Sequence, residues 1–107
     1  MTVPSASARV TSWPSMQPVS AASLQMLMME EGLAPYSWSN APFDASPPHS
    51  HGYDKVIYVV RGSIEFTLGE TDDRLNLKAG DRLDLPAGIV HAALVGPEGV
   101  MCLEAHR

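Results

Sequence analysis

Cysteine is almost missing from this 107-residue chain: Cys102 stands alone, so no internal disulfide can form, and a reducing cytoplasm is the simplest home. Long apolar runs are missing too. The N-terminal stretch carries Arg9 as its only charge and no continuous hydrophobic segment, so neither a signal peptide nor a membrane-spanning helix is expected. Positive charge is scarce, with 7 Lys and Arg against 12 Asp and Glu and a net charge of −5, which leaves no basic stripe to neutralise phosphates and argues against a nucleic-acid partner. What remains suits one domain: the length allows a single hydrophobic core but not two, and 45% hydrophobic with 18% charged residues is ordinary for a globular chain.

Residues 1–19 are rich in Ser, Ala and Pro, with Pro4, Pro14 and Pro18 spaced through them and no periodic apolar pattern, so they read as a flexible arm ahead of a single domain over 20–107. Trp13 within the arm is either an exposed tail aromatic or a hook that packs on the domain or on a second subunit. Residues 20–31 then predict a short amphipathic helix, with a serine at its start, Leu24, Leu27 and Met28 at helical spacing, and Gly32 at its exit. Its methionines read as core packing. From residue 34 to the C-terminus the pattern is that of strands. Tyr36 and Trp38 alternate with small residues. Pro42, Pro47 and Pro48 break the next stretch. Residues 55–60 and 63–68 predict a hairpin closed by a tight turn at Arg61–Gly62. Residues 92–95 and 100–105 predict two closing strands around Gly96–Gly99. Many short strands with Gly and Pro turns point to an all-β sandwich or barrel.

The residue types that carry chemistry are histidines. His49 and His51 stand at period two behind Pro47 and Pro48, so in an extended chain both rings face one side. His91 follows a predicted strand and a Pro86-Ala87-Gly88 turn. Three neutral imidazoles suit iron, manganese, nickel, zinc or copper. His106, one residue from the C-terminus, is expected to be frayed. Tyr36, Trp38, Tyr53 and Tyr58 are candidates for a pocket mouth or for core or dimer packing.

His49-x-His51 followed by Gly62, with Gly80-x5-Pro86-x-Gly88-x2-His91 behind it, resembles the paired motifs of the cupin superfamily over most of the chain from Tyr36 onward. The resemblance implies a jelly-roll β-barrel (a double-stranded β-helix) with a short N-terminal helix and a metal pocket inside, formed by His49, His51 and His91. Two positions depart from the pattern. Lys55 stands where the first motif usually carries a Glu ligand, and Val95 where the second commonly ends in Asn. Three-His cupins exist, the thiol dioxygenases among them, so a divalent transition metal remains the implied cofactor.

Lys55 is the one candidate for a catalytic role besides the metal. An ammonium about 5 Å from a divalent ion would meet roughly 6 to 7 kcal/mol of repulsion at an effective dielectric of about 20. Lys55 therefore either points to solvent at a strand edge or, if it occupies the Glu position, must lose its proton, face an anionic substrate, replace the metal, or turn to a carboxylate, for which Asp54, Glu65 and Glu104 are the candidates. On this reading Lys55→Glu strengthens metal binding by adding a fourth hard ligand. Asp84 is expected to pair with Arg82 or Arg74 on the outer face, and Cys102 to be buried. Two functions follow: a metal-dependent, oxygenase-like enzyme acting on a small anionic molecule that Lys55 anchors, or a non-catalytic small-molecule binding or sensing module. Homodimerisation through sheet edges, with the arm crossing over, is a third expectation.

Overall fold

The structure is a computed structural model and describes residues 7–69 and 71–107. In chain order its elements are β1 (Arg9–Thr11), α1 (Ala21–Glu30), β2 (Tyr36–Asn40), β3 (Ala45–His49), β4 (Lys55–Leu68), β5 (Arg74–Lys78), β6 (Arg82–Leu85) and β7 (His91–His106). No helix among the described residues is long and apolar enough to cross a membrane.

Two long strands organise the barrel. β4 and β7 run antiparallel along their whole length, from Lys55 opposite His106 to Leu68 opposite His91. Their pairing shifts register in the middle, so the two ends of each strand belong to two halves of one continuous seven-stranded sheet. At one end β4 pairs with β6, which pairs with β1, while β7 pairs with β2; at the other end β4 pairs with β5 and β7 with β3. Ile57, Val59, Leu83 and Cys102 from the first half meet Ile64, Phe66, Leu77 and Val95 from the second in one interior. This is the jelly-roll double-stranded β-helix that the sequence implies.

Alternation along β4 explains why residues 56–60 are apolar without a break. Ile57 and Val59 point into the barrel, whereas Val56, Tyr58 and Val60 point outward under α1, where they pack with Leu24, Met28 and Leu33. The helix starts where Ser20 Oγ accepts the Ser23 N–H and ends where Gly32, at φ 77, lets the Gly32 and Leu33 amides reach back to Met29 and Met28. Leu24 and Met28 are fully buried, which stabilises the docked helix by roughly 1.5 to 3 kcal/mol for each. Leu27, expected on the same face, is 37% exposed.

Four local expectations are corrected. Arg61–Gly62 is a bulge inside β4 and not a hairpin turn: both halves of β4 keep the same partner, and the register shifts on either side of this pair. Gly62 sits at φ 79, and a Cβ there would lie 1.9 Å from the Gly99 carbonyl oxygen, so only glycine fits this close crossing. The matching Gly96–Gly99 segment likewise stays inside β7. Pro47 and Pro48 do not interrupt a strand but belong to β3, whose one partner is β7, and its register shifts between Ser46 and His49. Finally, the expected flexible arm holds a strand. Val10 of β1 packs against the interior while its backbone pairs with β6, and Trp13 packs beside the helix cluster, its indole N–H donating to the Gln17 carbonyl. The part of the arm at residues 1–6 lies outside the described residues.

Candidate metal centre

His49 and His91 are direct cross-strand partners of β3 and β7, so sheet pairing alone brings their rings together, 4.4 Å between centroids. His51 arrives from the loop after β3. That loop is tied to the Pro86–Gly88 turn twice: the Gly88 N–H donates to the His51 carbonyl at 2.9 Å, and the Ala87 N–H donates to Asp54 Oδ1 at 2.8 Å. The two stretches that are distant in sequence thus lock into one unit, and the ring donors of His49, His51 and His91 lie within 4.8 Å of one another.

The donor set suits a metal ion. His49 Nδ1 lies 2.8 Å from the Pro47 carbonyl and His91 Nδ1 2.9 Å from the Ile89 carbonyl; since a carbonyl only accepts, both Nδ1 atoms donate, and Nε2 is the atom of each ring left for a metal. His51 Nδ1 contacts the Tyr53 hydroxyl at 3.3 Å, and its Nε2 is buried with no hydrogen-bond partner. A buried orphan nitrogen costs free energy unless something accepts its lone pair, and an ion shared with the other two rings would do so. Burial above all, and then the neighbouring Lys55 charge and the other rings, hold His51 below the ordinary histidine range. Burial does the same to His91 and outweighs its hydrogen bond to Ile89. Neutral rings are the form that ligates.

Beside the histidines opens a cavity of about 370 Å³. Its apolar lining comes from Ile57, Ile64, Phe66, Ala93 and Val95. Its lining also includes a polar hub around Glu104, a residue only 4% exposed. The Glu104 carboxylate accepts from the Tyr36 hydroxyl at 2.5 Å, His106 Nε2 at 3.0 Å, Lys55 Nζ at 3.2 Å and Trp38 Nε1 at 3.2 Å. Burial by itself would raise this carboxyl, but the Tyr36 and His106 hydrogen bonds and the Lys55 ammonium outweigh it and hold Glu104 below the ordinary carboxylate range. Tyr36 is pushed well above the ordinary phenol range, by burial first and then by its bond to Glu104.

Lys55 therefore turns to a carboxylate, and of the three candidates the partner is Glu104. Asp54 instead caps the Ala87 amide, and Glu65 lines a separate surface groove. Two expectations fail here. His106 is not frayed: it ends β7, bonds Glu104 and stacks on Tyr53 at 4.0 Å. Lys55→Glu no longer predicts stronger metal binding by itself, because it would bury a second carboxylate against Glu104. Tyr36 and Trp38 do line the cavity, whereas Tyr58 lies under the helix. Arg82 pairs with Asp84 at 3.0 Å as expected, and also with Glu31. Cys102 is fully buried, and burial above all pushes its thiol up to about 12, which leaves it unreactive.

No curated protein is similar enough to the sequence to count as a relative. Similar solved structures include an uncharacterised conserved protein with a double-stranded β-helix domain from Klebsiella pneumoniae subsp. pneumoniae, 26% identical with a TM-score of 0.60 over 69% of this chain and 65% of that one. Another is the DMSP lyase DddQ from Ruegeria pomeroyi, 27% identical with a TM-score of 0.63 over 70% of this chain and 38% of that one. A DUF861 family protein from Thermotoga maritima, 15% identical, matches 94% of this chain and 99% of its own with a TM-score of 0.62, a likeness of fold alone. This chain thus spans less than two thirds of the Klebsiella protein and of the lyase. With the paired motifs, the double-stranded β-helix and a cupin-domain model that matches residues 38–104, the chain belongs to the cupin family.

Proposed function

We propose that this cupin binds a divalent transition metal through His49, His51 and His91 and acts on a small anionic molecule in the adjoining cavity as a metal-dependent, oxygenase-like enzyme. The observation that carries the reading is the donor set: two rings with Nδ1 committed to carbonyls, and a third whose Nε2 is buried without a partner. When bound, the ion would supply Lewis-acid or one-electron chemistry and open positions for a ligand. The protein's part is to hold three neutral rings, exclude water along the apolar wall and set the charge. With neutral histidines, Lys55 and Glu104 cancel, so a divalent ion would leave the cavity at about +2, and this favours an anion. Lys55, held by Glu104 and lining the same cavity, is the side chain best sited to touch that anion.

A second reading, a binding or sensing module without turnover, has its own support. Glu104 is saturated by four donors, and the histidines would be ligands, so no described residue lining the cavity is a free general base. Homodimerisation and a cytoplasmic location, the latter resting on the lone Cys102, belong to either reading.

Metal analysis of untagged protein purified without added metal tests the proposal. Stoichiometric iron, manganese, nickel, zinc or copper that is lost in His49→Ala/His91→Ala is the expected result. Equal metal in wild type and variant, or none in either after incubation with each ion, would refute the metal reading. Oxygen uptake by the loaded protein with small carboxylates then separates enzyme from binding module.

A further inference from the structure

The hub around Glu104 decides what the cavity can recognise. Lys55 is the one lysine or arginine among the described residues lining it, and its ammonium is already paired with Glu104 at 3.2 Å. A phosphate or other dianion is best held by several charge-assisted donors, and apart from the proposed ion the cavity offers it no charged side chain beyond that one. Tyr36 Oη and Trp38 Nε1, also in the lining, and His106 Nε2 beside it all point to Glu104, which leaves Asn40 and Ser46 as the other uncharged polar side chains of the cavity apart from the histidines. A satisfied polar network presents few open hydrogen bonds, so a polyhydroxylated ligand would find only Asn40 and Ser46 beside it to replace its water. What is left to a ligand is aromatic and aliphatic surface: Phe66 and Trp38 offer ring contacts, with Ile57, Ile64 and Val95 beside them. A volume of about 370 Å³ lies near the low end for small-molecule sites and suits a ligand of roughly ten to fifteen non-hydrogen atoms.

We infer that the cavity takes a small aryl monocarboxylic acid, its carboxylate toward the histidines and Lys55 and its ring against Phe66, Trp38 and the aliphatic wall. This rests on the proposed metal site for its anion end, whereas the preference for an apolar ring rests on the wall alone. The two parts can be separated by experiment.

Full-length protein loaded with zinc, its metal content measured first, is titrated calorimetrically with phenylacetate, acetate, phenyl phosphate and phenylacetamide. Phenylacetate is expected to bind at least about tenfold more tightly than each of the other three, because the ring adds buried apolar area, the phosphate lacks donors and the amide lacks charge. Acetate or phenyl phosphate binding as tightly as phenylacetate would overturn the inference, as would phenylacetamide matching the acid. If the protein takes up neither zinc nor any of the other four ions, the metal reading fails, and the same series on the metal-free protein still decides the ring preference: phenylacetate over acetate supports it, and parity overturns it. The chain's two tryptophans locate the ligand. Phenylacetate should move the indole N–H resonance of Trp38 and leave that of Trp13, which packs in the helix-side cluster, in place. A shift at Trp13, or at neither, would contradict the assigned site.

Discussion

Replacing Glu104 by Gln leaves the Lys55 ammonium without its counter-charge at a side chain only 12% exposed. Removing one member of a buried pair is far more damaging than removing both, because the survivor keeps its desolvation penalty without its attraction. Glu104→Gln should therefore lower stability by about 3 kcal/mol, and Lys55→Met/Glu104→Gln should recover part of the loss, with a coupling of about 2 kcal/mol in urea denaturation. Purely additive losses would mean that the pair contributes nothing as a pair. The pH dependence follows from the same residue. Because the folded state holds the Glu104 carboxyl below its ordinary value of 4.5, the unfolded chain binds the extra proton first. The stabilisation is complete above that value and disappears as pH falls through the lower, folded-state value. Wild type should lose stability steeply below about pH 4.5, and Glu104→Gln should show a shallower acid limb. Glu31, lowered by its hydrogen bond to Arg82, adds a smaller part because it is about one-third exposed.

At the scale of elements, the crossing of β4 and β7 is the point of least tolerance. Gly62→Ala forces a side chain into the Gly99 carbonyl at a positive φ, so a loss above about 2 kcal/mol is expected in the same denaturation assay. Leu24→Ala, which empties a buried site under α1, should cost a similar 2 to 5 kcal/mol. If Gly62→Ala instead proves neutral, the bulge relaxes and the corner is not set by this contact. These elements also mark where sequence reasoning succeeds and where it stops. α1 was legible because a cap, an apolar spacing and a terminal glycine agree within one short segment. The bulge at Gly62 was not, since a glycine in a bulge and a glycine in a tight turn look alike until the partner strand is known. β1 has three residues and no periodicity, and its reason to be a strand is the open edge of β6, far away in sequence. For the site, the three histidines were legible from their motif spacing, and Glu104 was one of three candidates for Lys55. The roles of His106 and Tyr36 depend on the registers of Lys55 with His106 and of Tyr36 with Glu104, which follow from the whole sheet.

Across the whole molecule, a chain with net charge −5 encloses a cavity that a divalent ion would make positive. Metal taken up by the folded state alone must stabilise it, by about 2.7 kcal/mol when free metal is one hundred times the Kd. The melting temperature should therefore rise with metal in wild type and not in His91→Ala, and an equal rise in both would point to metal held elsewhere. Sheet pairing sets His49 on β3 against His91 on β7, the loop after β3 adds His51, and Lys55 of β4 meets Glu104 of β7 in the same cavity lining, so metal and anion chemistry share one interior. The most direct test of this account is anomalous X-ray scattering from crystals of metal-loaded protein, recorded at the metal's absorption edge. The account predicts one strong peak per chain within about 2.0 to 2.2 Å of the Nε2 atoms of all three histidines. A map without that peak, or with the metal elsewhere and the three rings turned apart, would contradict it.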